Sequence, residues 1–198
     1  MAKIDIMNSI LRSKQTVFTF KEVNLLTDGQ TSPALMYRRI SYYIKKGALI
    51  SLRRGVYAKD KNYDKFELGN KIFIPSYISF ETVLAKAGVV FQFYGQIFVA
   101  TYLTREVKIG DQLYSYKKIK NQVLERTDHP TGIEHRGTYS IATPERAFLD
   151  VVYLSKDYHF DNLSALNWEK VFEILPIYEN KQMEERVKKY YEYYRENR

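Results

Sequence analysis

Cysteine is absent from this 198-residue chain. That excludes a disulfide framework, thiol nucleophiles and cysteine-ligated zinc, and it fits a reducing compartment. Histidine is scarce, with three residues, and there is a single tryptophan. Long apolar runs are missing too. The most apolar stretch, Ala87 to Leu103, is interrupted by Gln92, Gly95 and Gln96, too polar to cross a bilayer. The first residues lack the apolar core of a secretion signal, since Asp5 and Asn8 break it. A soluble, cytoplasmic protein is therefore the expectation, with no membrane partner.

What is present is positive charge, unevenly placed. The chain carries 31 Lys+Arg against 23 Asp+Glu, a net +8. Residues 1–61 hold 12 of those bases and only 4 of the acids, so the whole excess falls there and the remainder is balanced. A basic first third beside a neutral remainder points to a polyanion bound by the first third alone. The 18 tyrosines are spread along the chain together with Lys, Ile and Asn. They read as a compositional bias rather than as a stacking surface for RNA.

The spacing of apolar residues predicts a helix over Ile4–Arg12. Thr19 and Glu22 form a capping-box pattern opening a short second helix through Val23, Leu25 and Leu26. Thr27-Asp28-Gly29-Gln30 is turn chemistry. Ser32-Pro33 then starts a third helix reaching Lys46, closed by Gly47, with Met36, Ile40, Tyr43 and Ile44 as its apolar stripe. Ala48–Leu52 and Val56–Ala58 read as strands joined at Arg53-Arg54-Gly55. Three helices and a hairpin predict a winged helix-turn-helix over residues 1–60. A helix of this kind fits the DNA major groove. The residues placed to touch DNA are Tyr37, Arg38, Arg39, Ser41, Tyr42, Lys45 and Lys46 on the helix, and Arg53 and Arg54 at the hairpin tip. The alternative is a winged helix used for protein contacts, with these cations simply solvated.

Residues 61–74 read as a junction, polar at 60–65, with a short helix or strand over Phe66–Phe73. A mixed α/β domain is expected over 75–198, giving an α+β fold class with antiparallel hairpins and C-terminal helices. Ser79 caps a helix to Lys86; Val89–Leu103 and Arg105–Ile119 read as hairpins; Thr138–Ala142 as a strand. Helices follow from Thr143-Pro144, over Asn167–Leu175 and over Lys181–Arg195.

Catalytic patterns are sparse. Asp157-x-His159-x-Asp161 has the spacing of metal ligands on a strand, but it falls between helices, where a polar loop is the plainer reading. Glu106-Val107-Lys108 matches half of a nuclease signature, with only Asp64 and Glu81 as conceivable carboxylate partners. No phosphate-cradling glycine loop or nucleophile elbow is present. The expectation is a non-enzyme without cofactor or metal. Thr143-Pro144-Glu145-Arg146-Ala147-Phe148-Leu149-Asp150 reads as a well-made helix start, with Arg146 and Asp150 spaced to pair.

Three segments in order carry a family resemblance: Ile44-Lys45-Lys46-Gly47-Ala48-Leu49-Ile50-Ser51-Leu52-Arg53-Arg54-Gly55-Val56-Tyr57-Ala58, then Pro75-Ser76-Tyr77-Ile78-Ser79, then Ala142 through Asp150. Together they resemble AbiEi-type antitoxins. The resemblance implies a type IV toxin–antitoxin system of abortive phage infection. It implies an N-terminal domain that binds inverted-repeat operator DNA and represses its own operon. It also implies a C-terminal domain that counters a nucleotidyltransferase toxin without a stable complex, with Thr143, Pro144, Glu145, Arg146 and Asp150 as the motif to associate with antitoxicity. Residues 156–198 add nothing to the resemblance. A lone winged-helix regulator without a toxin, and a metal-dependent nuclease using Glu106 and Lys108, are the alternatives.

Overall fold

The computed structural model of the chain describes residues 6–26, 31–125 and 131–197. The turn expected at Thr27–Gln30, and His129, lie outside them. The first part runs α1 (Ile6–Arg12), β1 (Val17–Thr19), α2 (Phe20–Leu25), α3 (Pro33–Lys45), β2 (Ile50–Arg53) and β3 (Val56–Ala58). The caps read from sequence are in place. Thr19 Oγ1 accepts from the Glu22 amide, and Glu22 Oε2 accepts from the Thr19 amide at 2.7 Å. Ser32 caps α3 with Pro33 at its first position, and Gly47 leaves the helix at φ 71°. Such a conformation suits glycine, which has no Cβ to clash. Met36 and Ile40 are buried, and Tyr43 and Ile44 pack partly against the same cluster.

The three strands make an antiparallel sheet in the order β1-β3-β2. Alternation along β1 and β3 serves two cores, because successive strand residues point to opposite faces. Phe18 and Tyr57 pack with Ile6, Ile10, Val23, Met36, Ile40 and Leu49 under the helices. Val17 and Val56 turn the other way and join the larger core of the remaining chain.

Next comes α4 (Lys65–Ile72), whose start is capped by Asp64 through the amides of Phe66 (2.7 Å) and Glu67 (3.2 Å). The polar run before it is thus a cap. The chain continues with β4 (Ser76–Ile78), α5 (Glu81–Lys86), β5 (Ile97–Thr101), β6 (Arg105–Ile109), β7 (Gln112–Lys118), α6 (Asn121–Leu124), β8 (Ile133–Arg136), β9 (Tyr139–Ala142), α7 (Pro144–Leu154), α8 (Trp168–Ile174) and α9 (Lys181–Glu196). Single 3₁₀ turns lie at Leu163–Ala165 and Leu175–Tyr178. The second sheet has the order β6-β7-β5-β4-β9-β8. Its β5–β7 and β4–β9 pairs are parallel and the others antiparallel. The architecture is mixed α+β: two sheets, antiparallel hairpins, and helices closing the C-terminal end. None of the described helices is long and apolar enough to cross a membrane.

Two expectations need correcting. Val89–Leu103 is not a hairpin: only Ile97–Thr101 is a strand, pairing with β4 and β7, while Phe91 and Phe93 stand in an irregular, exposed loop. Nor does Ser79 cap α5. Phe80 holds that position without a side-chain bond, because the Ser79 hydroxyl is committed to Asp150 at 2.7 Å.

Candidate nucleic-acid interface

The outward face of α3 follows from its 3.6-residue period. With Met36 and Ile40 inward, Arg38, Ser41, Tyr42 and Lys45 are exposed, as is Lys46 at the helix end. Arg39, on the flank, is half-buried. Tyr37, on the other flank, stacks on Phe20 with ring centroids 4.0 Å apart and planes 15° from parallel. Phe20 was not anticipated. It is the piece that joins helix to hairpin, since its amide also donates to the Gly55 carbonyl at 2.8 Å. The hairpin turn, with Gly55 at φ 78° and exposed Arg53 and Arg54 beside it, therefore abuts the Tyr37 edge of α3. The only sequence signal for this was an aromatic residue directly after a helix cap.

No carboxylate among the described residues compensates the charge on this face. Among the described residues, none of Arg38, Arg39, Lys45, Lys46, Arg53 and Arg54 forms an ion pair; Lys46 lies 5.9 Å from the Tyr42 ring centroid. The described carboxylates of this part, Glu22 and Asp60, are occupied elsewhere. Asp60 accepts from the Asn62 amide at 2.6 Å. Glu22 pairs with Lys71 of α4 at 2.8 Å. Burial pushes its carboxyl up, but the Lys71 hydrogen bond, the Thr19 amide and the Lys71 charge outweigh that and hold it below the usual glutamate value.

Lys71 is the centre of a clamp between α4 and the small sheet. Its ammonium also donates to the Val17 carbonyl at 2.6 Å and lies 3.3 Å from Glu67. Glu67, fully buried, accepts from the Thr16 amide (2.8 Å) and hydroxyl (2.6 Å). On its far side α4 is held by Tyr114 and Tyr116 of β7, whose hydroxyls donate to the Lys65 and Gly69 carbonyls. The candidate interface is thus tied to the second sheet through α4.

The Thr143–Asp150 segment opens α7 as read: Thr143 caps through the Arg146 amide and Pro144 takes the first position. Thr143 and Pro144 are half-buried and Glu145 buried, accepting from the Asn167 amide at 3.1 Å. Arg146 and Asp150 are paired at 3.2 Å, and both are 0% exposed. The guanidinium also donates to the Thr131 carbonyl (2.9 Å), the Val123 carbonyl (3.1 Å) and the Tyr77 hydroxyl (2.7 Å). Asp150 accepts from Tyr77, Ser79 and Tyr178 at 2.9, 2.7 and 2.6 Å. Burial pulls the guanidinium down, but the Tyr178, Tyr77 and Asp150 oxygens more than reverse it, so Arg146 stays charged. Burial also raises both tyrosine hydroxyls well above their usual range, keeping them donors. Gly132, at φ 64°, passes so close that a Cβ would meet Ile174 Cδ1 at 2.7 Å and Arg146 Cβ at 2.8 Å. Arg146 and Asp150 fasten β4, the segment before β8, α6 and the last 3₁₀ turn to α7 and offer nothing to solvent.

The remaining sequence candidates are not brought together. Glu106 and Lys108 sit exposed on β6, an edge strand. Asp64 is the α4 cap, and Glu81 pairs with Lys117 at 3.1 Å. Asp161 accepts from the Phe91 amide at 2.8 Å, and no cluster of three potential metal ligands occurs among the described residues. No protein-family model matches the chain, and no curated protein matches it.

Proposed function

We propose that this chain is a cytoplasmic DNA-binding autorepressor and the antitoxin of a type IV toxin–antitoxin pair, acting without catalysis. In this reading residues 1–60 are a winged helix-turn-helix, with α3 as recognition helix and the β2–β3 turn as wing. One observation carries the DNA-binding part: the unpaired cations of α3 and of the hairpin tip lie on adjoining surface, joined through Phe20, with both described carboxylates drawn away. Element order and pairing support the winged-helix assignment, since β1 between the first two helices closes the sheet against β3. On duplex DNA, Arg38 and Tyr42 reach base edges while Arg53 and Arg54 hold phosphate. Antitoxicity against a nucleotidyltransferase rests on the resemblance to AbiEi-type antitoxins alone.

The test is a gel-shift titration of the full chain on the DNA upstream of its own gene, against random duplex, at several salt concentrations. Preferential binding that weakens steeply with salt is expected, because bound phosphates release counterions. Equal binding to both duplexes, or binding indifferent to salt, overturns the assignment. Co-expression with an adjacent nucleotidyltransferase gene tests the second half; growth arrest that persists with soluble protein present removes it.

A further inference from the structure

A second candidate site lies far along the chain from α3, where the loop after α7 meets α9. On α9, Gln182, Arg186, Lys189 and Tyr193 recur at spacings of four, three and four residues, which stacks them on one side of a helix. That side flanks the buried stripe of Met183 and Val187 and faces Lys156 to Phe160. Two adjacent cavities open there. One, of about 520 Å³, is lined by Lys156, Asp157, Gln182, Arg186, Lys189 and Tyr190. The other, of about 360 Å³, is walled by the aromatic rings of Tyr158, His159, Phe160, Tyr190 and Tyr193, with Leu163 and Lys189. Lys189 and Tyr190 belong to both.

The two cavities differ in chemistry. The first gathers three cations against one carboxylate. Its guanidinium is oriented, since Arg186 Nη2 donates to the Val152 carbonyl at 3.0 Å. The second offers ring faces to solvent: Tyr193 is 59% exposed and the His159 side chain 87%. The wall between them is fixed, because the Tyr190 hydroxyl donates to the Tyr158 carbonyl at 2.7 Å. An anion subsite and an aromatic subsite, separated by one lysine and held by a backbone bond, match a ligand with a phosphate at one end and a flat ring at the other. Both volumes fall within the roughly 300–1,000 Å³ of ordinary small-molecule pockets. Stacking on aromatic side chains is tolerant of base identity. We propose that this face binds a mononucleotide, its phosphate on Arg186, Lys189 and Lys156 and its base against Tyr193 and His159. The inference does not depend on the DNA reading of α3.

Calorimetric titration of the full chain with AMP, GMP, CMP and UMP is the test, with ribose 5-phosphate and inorganic phosphate as ring-free controls. At least one nucleotide is expected to bind about tenfold or more tightly than ribose 5-phosphate, the order of one stacked base. Lys189→Gln, at an exposed position, should weaken every phosphorylated ligand. Tyr193→Ala should weaken the nucleotide about tenfold and leave ribose 5-phosphate unchanged; thermal melts confirm that both variants fold. Absence of nucleotide binding, or binding no tighter than ribose 5-phosphate, overturns the proposal. So does binding abolished by Arg38→Ala yet untouched by Lys189→Gln and Tyr193→Ala, which moves the ligand to α3.

Discussion

Among the described residues, Arg38, Arg53 and Arg54 stand in water with no carboxylate paired to them, whereas Arg146 is wholly out of water with four oxygen contacts around its guanidinium. The same side chain therefore serves opposite ends in the two parts of the molecule. An exposed, unpaired guanidinium contributes little to folding and remains available to a partner. A buried one is tolerable only when its charge and its donors are all met, and then it holds the fold. Sequence motifs rich in charge are ambiguous until burial is known: the Arg53-Arg54 turn is a surface, and Thr143–Asp150 is a keystone.

Breaking the buried pair should give the largest effect. Asp150→Ala leaves Arg146 charged and unpaired, and a loss of about 3–5 kcal/mol in urea unfolding is expected. A loss below about 1 kcal/mol would erase the contrast between the two regions. Gly132→Ala should cost about 2–3 kcal/mol, since it adds a Cβ clash to a left-handed backbone; an unchanged melting midpoint refutes the close approach. Lys71→Met strands Glu67 and Glu22 and should also destabilise by a few kcal/mol. Its pH signature is distinctive. Glu22 has a lowered folded carboxyl value, so its contribution is present above the unfolded glutamate range and disappears as pH falls through the folded value. Glu22→Gln should therefore flatten that acid limb, read from denaturation midpoints between pH 7 and pH 3.

On the exposed side, Arg38→Ala should leave the melt unchanged and weaken operator binding by about 1–3 kcal/mol, relaxing preference at one position per half-site. The smallest effects belong to Arg53→Ala and Arg54→Ala. Each should weaken operator and random DNA alike and lower the salt slope by about one unit. If Arg54→Ala instead removes operator preference, the tip reads groove width and the roles of helix and turn are exchanged.

Local chemistry was readable from the chain. The Thr19, Ser32 and Thr143 caps, the Gly47, Gly55 and Gly110 turns and the Met36–Ile40 stripe announced themselves through spacing of a few residues. What escaped was nonlocal. Strands β1 and β4 have three residues each, too few to show alternation, and they exist because distant partners pair with them. The parallel β5–β7 pair placed Ile97–Thr101 away from the residues just before it, against the hairpin expected there. The outward-facing residues of α3 were legible because one turn of helix sets an outward face. The role of Phe20 was not, since it depends on a contact with Gly55 thirty-five residues away.

The double-sided strand β1 has a consequence for how the protein comes apart. Phe18 closes one core and the neighbouring Val17 the other, with Thr16 and Val17 both tied to α4. Unzipping either part strips one face of the same three residues, so heat should melt the molecule in a single step rather than as beads on a string. A cut after residue 61 would leave Val17 and Val56 bare on one fragment and Leu68 on the other. Each half would then be a sticky remnant, and loss of function in such halves would measure that damage before it measured anything else.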